Sequence, residues 1–91
     1  GVRRVLFRSS EVFAIAESQK DNLEIQMKAA DIEVVQGNYE AGFNRLISLV
    51  KSTSGDEQKS VREHLLNLFK LVDPADPILI KARQALASAL F

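Results

Sequence analysis

Between Leu65 and Phe91 the chain reads LLNLFKLVDPADPILIKARQALASALF, and this stretch restricts the fold more than any other. Two apolar-striped segments meet at Asp73-Pro74-Ala75-Asp76-Pro77. A residue ahead of proline avoids helical angles, so Asp73 ends whatever precedes it. Proline in a first helical turn gives up no hydrogen bond, and an aspartate before it can accept from the unpaired amides, so Asp76-Pro77 opens a new helix. The spacing predicts one helix from about Asp56 or Glu57 to Val72, with Val61, Leu65, Leu68, Phe69 and Val72 facing inward. A second follows from Pro77, carrying Ile78, Leu79, Ala82, Leu86 and Leu90.

The upstream half obeys the same rule. Ser10 is expected to cap a short helix to about Gln19, with Val12, Phe13 and Ala16 as its apolar face. Asp21-Asn22-Leu23-Glu24 supplies a cap and an early acid for a longer helix ending near Gln36. That helix has two apolar stripes, one of Leu23, Met27, Ala30 and Val34 and one of Ile25, Ala29 and Ile32, and is expected to be contacted on two sides. Gly37-Asn38 breaks it, because both residues tolerate the left-handed conformation. From Tyr39 onward, Phe43, Leu46, Ile47 and Val50 repeat at i, i+3, i+4 and i+7. The short link makes these two helices an antiparallel hairpin. Lys51 to Gly55 is the clearest loop, and no run alternates like a strand. The fold class expected is all-α: antiparallel helical hairpins, each too small to bury its apolar face alone, stacked on one another.

Charge and composition remove several classes of function. The 12 basic and 12 acidic residues balance. Residues 1–9 are expected to be a non-native leader, since Arg4 to Ser9 back-translates in one frame into the end of a common sequencing adapter. The chain lacks an initiator Met, so residues 10–91 are expected to be a helical domain from a longer protein. Without Arg3, Arg4 and Arg8 the balance falls to nine basic against twelve acidic residues, which gives no electrostatic grip on nucleic acid or an anionic membrane. No apolar run approaches the roughly 20 residues that span a bilayer. With no cysteine, disulfides and thiolate metal sites are excluded within this chain.

The candidates for chemistry each have a simpler use. His64 is the single histidine and lies off the main apolar face of its helix, whereas a metal site needs three or four converging ligands. Asp73 and Asp76 are accounted for by helix termination and capping. Tyr39, at a hairpin turn, is expected to pack. No glycine-rich phosphate loop or serine–histidine–acid set occurs, so neither a catalytic residue nor a cofactor is expected, and the chain is not expected to be an enzyme. The Lys81–Arg83 face of the last helix either binds an acidic partner or is plainly solvated. Leu90 and Phe91 either tuck under the preceding helix or remain available to a partner, as exposed apolar clusters do.

Ala30 to Val50, ADIEVVQGNYEAGFNRLISLV, resembles the middle of a tetratricopeptide repeat: Ala30, Gly37, Tyr39, Gly42, Leu46 and Leu49 fall on the motif's small, turn and large apolar places. Gly42 stands where alanine is usual, which permits close approach at about 1 kcal/mol of helix propensity. Taken with the Asp73–Phe91 ending, the chain from about Ser10 resembles the bacterial thioredoxin-like proteins with a carboxy-terminal tetratricopeptide-like domain, the chaperedoxins or co-chaperedoxins. The resemblance implies a cytoplasmic holdase that binds unfolded clients, passes them to the chaperonin (GroEL/GroES) and Hsp70 systems, and docks on the chaperonin through its final helix. On that reading Arg83, Leu86, Leu90 and Phe91 are the partner-binding residues. The chain departs from the family where Ala82-Arg83-Gln84 replaces a run of basic residues, and where Ala89 replaces a larger side chain. The alternative is a generic tetratricopeptide-type scaffold that binds peptides and has no chaperone role.

Overall fold

Gly37, at φ +85°, turns the chain at the end of its second helix, and the rest of the architecture follows from that reversal. The computed structural model describes residues 8–91, which form five helices and, among the described residues, no strand. They are α1 (Ser9–Ser18), α2 (Leu23–Val35), α3 (Tyr39–Ser52), α4 (Gly55–Phe69) and α5 (Pro77–Leu90).

The ends of the helices show why the sequence folds this way. Asn22 caps α2 by accepting from the Ile25 amide. At the other end the amides of Gly37 and Asn38 donate to the carbonyls of Val34 and Glu33, the paired bonds of a Schellman turn. The last carbonyls of α3 are covered by side chains. Thr53 Oγ1 donates to Leu49 O at 2.6 Å, and Gln58 Nε2 donates to Val50 O and Thr53 O. Asp76 Oδ1 accepts from the Ile78 amide at 2.9 Å with Pro77 at the helix start, and Asp73 Oδ1 accepts from the Ala75 amide.

Three boundaries move from the sequence reading: the expected Lys51–Gly55 loop shrinks to Thr53 and Ser54, because α3 continues through Ser52 and α4 opens at Gly55. Helix α1 begins at Ser9 with Arg8 as its cap residue, so Ser10 lies inside the helix and caps nothing. Seven of the nine leader residues lie outside the described part of the chain, and the other two form this helix start. Helix α4 ends at Phe69 instead of Val72. The amides of Lys70, Leu71 and Val72 bond three residues back, a tightened final turn that still leaves Val72 buried.

Helix α3 is the hub. It packs against α2, α4 and α5, while α1 packs on the opposite side of α2. The main core gathers Phe43, Leu46 and Val50 of α3 with Val61, Leu65 and Phe69 of α4 and Leu79 and Leu86 of α5. A smaller cluster of Val12, Ala16 and Ala29 joins α1 to α2, so α2 is contacted on two sides. At the crossing of α2 and α3 a Cβ built on Gly42 would stand 2.9 Å from Val34 Cγ2, closer than real Cβ contacts come, and a tight 3.0 Å from the Ala30 carbonyl oxygen. Only glycine fits there without a shift. The last two helices depart from a tight hairpin: α4 and α5 barely meet, and each packs on α3 instead. The chain between them turns through an Asp73 side-chain bond and two prolines, and it sets the two axes apart.

Candidate functional site

The separation of α4 from α5 leaves a cleft of about 850 Å³. Its apolar lining comes from Leu66 and Phe69 on α4 and from Leu86 and Leu90 on α5. Phe69 is fixed in place by an edge-to-face contact with Phe43, their ring centroids 5.0 Å apart. Leu86 is also buried in the main core, so the cleft wall is part of the folded body. Arg62, Lys70 and Arg83 stand around this lining with one acid, Glu63. The site thus combines apolar side chains from both helices with a mostly cationic set of charges.

The structure brings together three of the four partner-binding residues expected from the sequence. Arg83, Leu86 and Leu90 line the cleft, whereas Phe91 is wholly exposed and outside it. The repeat-motif residues lie elsewhere. Ala30, Gly42, Leu46 and Leu49 are buried at the contact of α2 with α3, and Gly37 turns the chain between these helices. Tyr39 stacks on Phe43 at 6.3 Å and packs against the core.

Arg62, Leu66 and Lys70 were not singled out by the sequence reading. They follow at i, i+4 and i+8, a stripe one step round from the buried Val61–Leu65–Leu68–Phe69 face. A large apolar residue off that buried stripe, Leu66, is the sequence signal that could have revealed them, and in the structure it is 43% exposed.

Polar groups inside the body are structural in their contacts. Gln26 is buried, and its Nε2 donates to Ala16 O at 2.8 Å and to Gln19 O, closing the end of α1. Its Oε1 accepts from Arg45, whose Nε lies 2.7 Å from Glu33 Oε1. Arg45 also lies 5.9 Å from the centre of the Phe13 ring. This network joins α1, α2 and α3. His64 Nε2 is 2.6 Å from Asp31 Oδ1, which ties α4 to α2, a partner 33 residues away. Among the described residues no three acidic, histidine or cysteine side chains cluster as metal ligands. No helix among them is long and apolar enough to cross a membrane.

The family model described as "Tetratricopeptide repeat" matches residues 8–91. Proteins described as uncharacterized from Mycobacterium bovis and from two strains of Mycobacterium tuberculosis, CDC 1551 and H37Rv, are each 40% identical over 88 residues. The match takes in 97% of this chain but 29% of each relative, so the chain spans less than a third of their length. No solved structure matches.

Proposed function

Because the chain belongs to the tetratricopeptide-repeat family, whose members bind other proteins, we propose that this domain docks on the chaperonin as part of a cytoplasmic thioredoxin-like holdase. The observation that carries the reading is Phe91, a large aromatic side chain wholly exposed at the end of α5 and next to Leu90. Exposed aromatic residues beside a cleft are the usual anchors of protein interfaces. Arg83, Leu86, Leu90 and Phe91 would make the contact, with Leu86 acting chiefly by holding α5 on the core. Unfolded clients would be carried by the same protein, and transfer to the Hsp70 system is a further step of this reading.

The direct test is binding of the 91-residue chain to purified GroEL, with and without GroES, measured by biolayer interferometry. Phe91→Ser is the informative variant, because the side chain touches no core residue and its loss leaves the fold intact. Removing everything after Ala85 would be a poor choice, since it also removes buried Leu86. Binding by the parent chain that drops at least tenfold in Phe91→Ser supports the docking reading. Equal binding, or none by the parent chain, leaves the alternative of a peptide-binding scaffold without a chaperone role.

A further inference from the structure

The α4–α5 cleft has a composition that selects its occupant, on the reading above that the domain binds proteins. Both walls are helices whose backbone groups are bonded within the helix, so they offer no strand edge to an extended peptide. A helical segment arrives with its backbone already bonded, so it is the occupant that asks least of these two walls. The large apolar lining residues of the cleft are Leu66, Phe69, Leu86 and Leu90. Its charged lining is Arg62 and Lys70 on one wall and Arg83 on the other, against Glu63 alone. None of these three cations forms an ion pair among the described residues. The local excess of positive charge is therefore unspent, although the whole chain is balanced.

We propose that this cleft binds an amphipathic helix of a partner protein whose apolar face is flanked by carboxylates on both sides. The length of the walls sets its size. Arg83 to Leu90 is seven helical steps, roughly 10 Å, so about two turns of the partner fit. That calls for large apolar residues at i, i+3 or i+4, and i+7, with glutamates or aspartates beside them.

Three synthetic helix-forming peptides test this, each with leucines at i, i+3 and i+7 and with flanks of glutamate, glutamine or lysine. Their affinities for the fluorescently observed 91-residue chain are measured by anisotropy at low salt, and the contact is mapped by backbone amide shifts. The expected result is that the glutamate peptide binds about tenfold more tightly than the glutamine peptide, the sum of three modest exposed ion pairs. The lysine peptide should be weaker still. Shifts should concentrate on α4 and α5, Arg83→Glu should erase most of the glutamate preference, and Leu66→Asp should abolish binding while circular dichroism shows intact helices. Equal affinities, shifts centred on other helices, or no binding of any peptide at millimolar concentration would overturn the proposal. Chaperonin docking shares Arg83, Leu86 and Leu90 with this cleft, and Phe91→Ser, which lies outside it, tells the two apart.

Discussion

Gly42 is where one missing methyl group decides a helix crossing. Alanine there would regain about 1 kcal/mol of helix propensity. It would also drive a Cβ to 2.9 Å from Val34 Cγ2 and 3.0 Å from the Ala30 carbonyl oxygen. Val34 is buried and β-branched, so its methyl cannot swing away cheaply. The clash outweighs the gain, and Gly42→Ala is expected to lower stability by about 1–2 kcal/mol in urea unfolding. An unchanged or raised midpoint would show that α2 and α3 separate freely. Glu33 poses a different problem. Its removal leaves the Arg45 guanidinium, 22% exposed, with Gln26 as its hydrogen-bond partner and the Phe13 ring nearby. Glu33→Ala is expected to cost about 2 kcal/mol, less than for a fully buried pair because Arg45 keeps some water. In a double-mutant cycle, Arg45→Met should recover part of that loss. The sequence carried the Gly42 role in its repeat-like spacing. It carried no sign of Gln26, Glu33 and Arg45 acting together, because their contacts join positions 12 and 19 apart that share no periodic pattern.

At the scale of helices, capping explains most of what was readable. Asn22, Gly37, Asp76 and Pro77 have local roles that depend only on their neighbours, and they set the boundaries of α2, α3 and α5. Asp76→Ala removes the acceptor for the Ile78 amide and is expected to cost about 1 kcal/mol in urea unfolding. A change within 0.2 kcal/mol would mean that the Asp76 bond contributes little. Helix α4 ends three residues before its apolar stripe does, because Val72 continues the stripe after the backbone has tightened. The cleft was only half legible. Arg83, Leu86 and Leu90 came from the ending of the chain, but the facing wall depends on how far α4 and α5 diverge, and local sequence does not encode that distance. Leu86 and Phe91 also differ in kind. Leu86→Ala should cost about 3 kcal/mol by leaving a cavity in the core, whereas Phe91→Ser should shift stability by no more than about 0.5 kcal/mol. Thermal unfolding of the two variants separates structural from binding effects.

Across the whole molecule, stability is graded outward from α3. That helix contributes Phe43, Leu46, Ile47 and Val50 to the main core and touches three others, while α1 rests on the small Val12–Ala16–Ala29 cluster and the Gln26 bonds. Repeat proteins of this kind hold together through neighbour contacts and open from their ends. Amide hydrogen exchange should therefore find the slowest amides between Phe43 and Val50 and much faster ones in α1; uniform protection would contradict this ordering. On the proposed reading the interaction surface is the end of α5, on the α4–α5 side. Its most direct test is photo-crosslinking to purified GroEL from a benzoylphenylalanine placed at Phe91 in one preparation and at Lys20, beyond α1, in another. Crosslinks from position 91 and not from position 20 are expected. Crosslinks from both alike, or only from position 20, would contradict docking through the last helix.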